Sequence, residues 1–275
     1  MEVRLDCIVY TNKAAMKLFC AAVLLMMMTA CAADTEKDVE PVLQPVPGPK
    51  HREATIAEIP TPAGYERIPL SAGSFSRWLR NYPLRTDSTL YLYGGTSKGD
   101  QSLHYAVLDL STRELQQCAD ALMRLRAEYY FSVGALDSIR FLTGNGSVLS
   151  LDSWQRDCRT HDCLMRFMNN VFNNCGTYSI KAMTKPRSPD DMVPGDVLVR
   201  PGSPGHSMMI ADVAVDRRTG KKVFLLLQSY MPAQDTHIVR NLENSVLSPW
   251  YEVDLLNWIS TPGYMFAYSD LRSWK

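Results

Sequence analysis

A thiol, an imidazole and a polar run follow one another in an order that suits nucleophilic catalysis. Cys118 stands in LQQCADALMRLRAEYYF, His206 in PGDVLVRPGSPGHSMMIADV, and Gln228 opens QSYMPAQDTHIVRN. A cysteine attacks a carbonyl as its thiolate, so it needs a base within hydrogen-bond reach. That base in turn needs a third group to fix its tautomer. The order assigns these roles to Cys118, His206 and Gln228. Cys175, in NNCGTYSI, is a second candidate nucleophile at the end of an expected helix. Gly205 and Ser207 are small neighbours of His206 and leave room for a ligand. Tyr230, Gln234, Asp235 and His237 form a dense polar stretch that could line a cleft.

Other chemistries find less support. The chain carries no GxGxxG, P-loop, HExxH or GxSxG pattern. Asp235 and His237 would share one face of an extended segment and could join His206 around a metal, but no fourth ligand stands at a usual spacing. No metal and no cofactor is therefore expected. The 29 basic and 29 acidic side chains cancel, and no basic stripe interleaved with aromatics points to nucleic acid.

The elements that must position these residues are legible in outline. Ser111 with Glu114 three residues on has capping-box spacing and predicts a helix from Thr112 to Phe131. Its apolar stripe would hold Leu115, Cys118, Leu122, Leu125 and Tyr129, which buries Cys118 two turns in. Arg124 and Glu128 are spaced to pair. A second helix is expected over 163–172. Strands are expected at 89–95, 104–110 and 138–142. DVLVR, HSMMIADVAVD and VFLLLQSYM then form a strand and a hairpin, followed by HIVRNL, WYEVDL and YMFAY. A turn centred near Thr219 would set His206 opposite Pro232 and leave Gln228 four residues along, about 13 Å at ~3.3 Å per residue. A bulge would alter that register. The fold class expected is α+β, with helices packed on a mainly antiparallel sheet.

The N-terminal part reads differently. From Met16 a lysine, a short apolar run and small residues before Cys31 have the layout of a secretory signal. The ending MTAC resembles a lipobox, which would make Cys31 the lipidated N-terminus and Met16 the true start. Residues 1–31 are thus an upstream extension plus signal. Residues 32–62, with Asp34, Glu36, Asp38, Glu40 and a Pro-rich run, are a flexible tether. Residues 63–275 form one globular domain. An envelope location permits disulfides, so Cys158 and Cys163 are either a bridge or two free thiols.

Two resemblances add to this. The pair PGDVLV and GHSMMIADV resembles the Gly-Asp and Gly-His strands of NlpC-type peptidases, a short and unspecific match that implies a papain-like or NlpC-like cysteine peptidase or amidase architecture. The blocks LQQCADALMRLRAEYYF, GDVLVRPGSPGHSMMIADVA, LLLQSYMPAQDTHIVRNL and SPWYEV resemble, over most of 64–272, domain-of-unknown-function family 4846, envelope lipoproteins of Bacteroidetes. That resemblance matches Cys118, His206 and Gln228 to Gln234, and disfavours Cys175, where the family more often carries a small residue. The expected function is a lipid-anchored cysteine hydrolase of amide bonds, with peptidoglycan peptides as the expected substrate class. The alternative is a non-catalytic envelope lipoprotein that binds a cell-wall or glycan fragment. Either would be anchored in a bacterial membrane and would not bind nucleic acid.

Overall fold

The structure, a computed structural model, describes residues 54–85, 89–100, 105–107 and 114–275. The fold is α+β. A nine-stranded sheet is built from β1 (Tyr65–Arg67), β2 (Tyr105–Val107), β3 (Thr184–Pro186), β4 (Val197–Arg200), β5 (His206–Asp216), β6 (Lys222–Gln228), β7 (Thr236–Ile238), β8 (Tyr251–Glu252) and β9 (Leu271–Trp274). The continuous order is β2-β7-β6-β5-β4-β9-β3, with β1 beside the far end of β5 and β8 beside that of β6. These pairs are antiparallel. Among the described residues five α-helices accompany it: α1 (Phe75–Arg80), α2 (Cys118–Ser132), α3 (Leu151–Trp154), α4 (His161–Asn174) and α5 (Thr177–Met183).

The central strands are apolar on both sides because both sides are covered. On one face Met209, Ala211, Val223, Leu225 and Leu227 pack with Leu122 and Leu125 of α2 and Phe167 and Met168 of α4. On the other, Met208, Ile210, Phe224 and Leu226 pack against Tyr251, Ile259 and Phe266. Residues Ile259–Thr261 and Tyr264–Phe266 form a small hairpin on that second face. Cys158, in the loop before α4, and Cys163, in the first turn of α4, form a disulfide, which decides between the two expected states. Arg124 and Glu128 pair at 3.2 Å as expected.

Three expectations are corrected. Residues 54–62 belong to the folded part and not to a tether: Ile56 and Ile59 are buried, and their carbonyls accept from Arg67 Nη2. Apolar residues at 56 and 59 give the end of the presumed tether something to bury, despite its prolines. The long helix begins at Cys118, not at Thr112. Residues 111–113 lie outside the described residues, but Glu114 and Leu115 form a turn, and Asp120 Oδ2 accepts from Gln117 N at 3.0 Å. A cap at 117/120 thus replaces the one read at 111/114. The hairpin register is also different. A bulge at Ala211 shifts the pairing, so Met209 faces Leu227 and Ile210 faces Leu226. Continued one residue, that register sets Gln228 against Met208, only a diagonal step from His206.

Among the described residues no helix is long and apolar enough to cross a membrane. Cys31, Met16 and the signal reading lie outside the described residues.

Candidate functional site

The later helix start changes the chemistry available to Cys118. It is the first residue of α2, where backbone N–H groups lack intrahelical acceptors and the helix dipole favours negative charge. The thiol is largely buried, which pushes its pKa above the usual value; the backbone N–H groups of Ser207 and Ala119 oppose that shift. Ser207 is the residue next to His206 in β5, so the helix start abuts the strand start. Ser229 Oγ lies 3.3 Å from Gln116 O and donates to Gln234 O at 2.7 Å, tying the loop before Cys118 to the loop after Gln228.

His206 is 3% exposed and its Nε2 lies 2.8 Å from Gln228 Oε1. Burial lowers its pKa, and the Gln228 contact partly offsets this. The imidazole is walled by aromatic rings, with Tyr230 at 4.9 Å, Tyr264 at 5.0 Å and Phe266 at 6.0 Å between centroids. Burial is the main cause of the raised pKa of Tyr264; Arg200 opposes it, and Asp270 and an ionised Cys118 would add to it. His206 and Gln228 lie on the sheet face of Met208 and Phe224, whereas α2 covers the opposite face. Cys118 therefore approaches at the end of β5, and its thiol forms no hydrogen bond to the His206 ring in the described structure. The resting thiol is neutral and not half of an ion pair.

Gly205 does not leave a space for a ligand. A Cβ there would come within 2.6 Å of Gly202 N and 2.7 Å of Thr177 Oγ1. The absent side chain lets the β4–β5 loop close against the start of α5, which holds His206 in place.

Cys175 is not brought into this group. It ends α4, its thiol donates to Leu142 O at 3.3 Å, and burial pushes its pKa up to about 11. Of the expected cleft residues only Tyr230 is half-exposed; Gln234, Asp235 and His237 are buried. The Asp235 carboxylate accepts from Arg85 Nη2 at 2.6 Å and Tyr91 N at 2.9 Å. Gln234 Oε1 meets Lys98 Nζ at 3.5 Å. This stretch fastens a loop instead of presenting one. Among the described residues no group of three His, Cys, Asp or Glu side chains is arranged to hold a metal.

Sequence reading missed Tyr264, Phe266 and Asp120. Tyr264 and Phe266 reach His206 from a hairpin almost sixty residues on, and no local pattern marks that contact. Asp120 did carry a signal: it stands three residues after Gln117, at the N3 position of the real cap. It is 6% exposed, its Oδ1 has no hydrogen-bond partner, and burial raises its pKa to about 7. A carboxyl whose pKa is higher folded than unfolded favours folding while protonated, and that contribution is lost as pH rises through the folded pKa. Asp120→Asn should therefore gain thermal stability relative to wild type at pH 8 and little at pH 4, the difference amounting to at most ~4 kcal/mol. Melting curves across that range test it, and parallel curves would refute the assignment.

The model of a family described as a domain of unknown function (4846) matches residues 56–273. No curated protein and no solved structure matches the chain.

Proposed function

Because the chain belongs to domain-of-unknown-function family 4846, whose description assigns no activity, we propose from its site that it is a cysteine hydrolase of amide bonds on a papain-like or NlpC-like plan. The observation that carries this reading is the pairing of His206 Nε2 with Gln228 Oε1 at 2.8 Å, beside a cysteine that opens a helix against Ser207. An amide oxygen can only accept, so the His206 nitrogen facing it carries the proton and Nδ1 carries the lone pair.

With a substrate carbonyl at the start of α2, Nδ1 of His206 takes the Cys118 thiol proton as sulfur bonds to the carbonyl carbon. The carbonyl oxygen becomes an oxyanion, for which the N–H groups at the start of α2 are the available donors. The tetrahedral centre then collapses, the C–N bond breaks, and the leaving amine receives the proton from the imidazolium. Water, deprotonated by His206, cleaves the thioester, releasing a carboxylic acid and returning the thiol. Burial of His206 keeps the ring neutral and able to act as a base. A neutral resting thiol is consistent with proton transfer coupled to attack.

The envelope reading belongs to the same proposal: Cys31 is lipidated, the protein is tethered in a bacterial membrane, and peptidoglycan peptides are the substrate class within reach. Cys31→Ser should move the protein from the membrane to the soluble fraction, and unchanged sedimentation with membranes would refute the anchor. The competing reading, a non-catalytic lipoprotein that holds a glycan or cell-wall fragment, draws on the rings of Tyr230 and Tyr264 around His206. The two separate on one experiment: release of new amine termini from cell-wall peptides by wild type and not by Cys118→Ala supports the hydrolase. Binding of such peptides without cleavage by either supports the alternative.

A further inference from the structure

The tautomer of His206 is set further away than Gln228. Gln228 and His237 are directly paired across β6 and β7, so their side chains leave the sheet on the same face. Gln228 Nε2 lies 3.4 Å from His237 Nε2, and His237 Nδ1 lies 2.8 Å from the carbonyl oxygen of Asp235. His237 is 1% exposed, so it has no solvent partner to compete with these contacts.

The direction of this chain follows from one fixed acceptor. A backbone carbonyl only accepts, so His237 Nδ1 must carry the proton. Neutral imidazole has one N–H, so His237 Nε2 is then an acceptor and draws the amide NH2 of Gln228 toward it. That leaves Gln228 Oε1 facing His206, which must donate from Nε2. Burial keeps His237 neutral, with a pKa lowered to about 4. The carbonyl at the far end is itself held, because Asp235 bonds Tyr91 through its backbone N–H and its carboxylate.

We propose that His237 is a positioning residue: by accepting from the Gln228 amide it fixes which way that amide points, and so fixes the lone pair on His206 Nδ1. The proposal rests on the hydrolase reading only for its catalytic consequence. Without His237, Gln228 could turn and offer NH2 to His206, which would move the proton to Nδ1 and leave Cys118 without a base. The misoriented population would be inactive, as when other catalytic histidines take the wrong tautomer.

The test is long-range nitrogen–proton correlation spectroscopy of the full chain at neutral pH, tractable with five histidines assigned by single substitutions. Wild type should show His206 protonated at Nε2 and His237 at Nδ1. His237→Phe, which keeps a ring but removes the acceptor, should shift His206 toward an Nδ1–H or mixed state. His237→Gln, which restores an acceptor, should restore the wild-type signature. In hydrolysis, His237→Phe should lower kcat by about 10- to 100-fold with KM little changed. An Nδ1–H tautomer at His206 in wild type overturns the proposal even if no variant folds, and so does a His206 tautomer indifferent to His237→Phe. If the tautomers respond as stated but wild type cleaves no amide, the positioning role stands and the hydrolase reading falls.

Discussion

Cys118→Ala is expected to abolish amide hydrolysis, by a factor on the order of 10⁴ to 10⁶, while leaving the melting temperature within a few degrees of wild type. The large factor follows from the mechanism, since a methyl group offers no nucleophile and no proton for His206 to take. The small structural effect follows from position. Cys118 opens α2 and does not sit in its middle, so its removal spares the interior contacts of Leu122 and Leu125. Alanine also suits a helix. A thiol-directed electrophile should label wild type faster than Cys175 alone allows, and Cys118→Ala should lose that fast phase. Because burial pushes both thiols up, the fast phase must depend on His206. Equal labelling of wild type and variant, or hydrolysis that survives the substitution, would remove Cys118 from the mechanism.

The largest stability loss is expected at Asp212. This carboxylate is completely buried, accepts from Arg67 Nε at 2.6 Å and Arg80 Nε at 2.8 Å, and lies immediately after the bulge at Ala211. It joins β1 and α1 to β5 through two guanidiniums that are themselves mostly covered. Asp212→Ala leaves both cations without their partner, a change that costs about 3–5 kcal/mol when a buried pair is broken from one side. For a domain of this size that corresponds to a melting temperature lower by roughly 10 °C. Asp212→Asn should lose less, because an amide oxygen can still accept. A drop of under 3 °C for the alanine variant would show that the ion triad contributes little. The site should feel this change too: the bulge beside Asp212 sets the pairing that brings Gln228 to His206, so loss of activity is expected to accompany loss of stability.

The α+β class and most strands were legible because central strands covered on both faces must be apolar on both faces, and Val197–Val199, Met208–Ala211 and Val223–Leu227 say so directly. The second helix was legible for the opposite reason, since its buried residues recur at helical spacing. Helix ends are weaker signals. Two capping boxes stand six residues apart, at 111/114 and 117/120, and spacing alone does not choose between them. Folding of the Gln117–Asp120 cap chose the second, which moved Cys118 from the middle of an apolar stripe to a helix start.

By itself the sequence determined the family, the fold class and the cysteine, histidine and glutamine that form the candidate site, because residue types and local periodicity carry that information. Only the tertiary structure decided how they meet. A one-residue shift in the turn pairing and a one-residue bulge together changed a separation of about 13 Å, as reckoned from ~3.3 Å per strand residue, into a hydrogen bond of 2.8 Å. Pairing of β6 with β7 turned His237 from a supposed cleft residue into a link of a hydrogen-bonded chain. A register is a property of two strands together, and no single strand contains it.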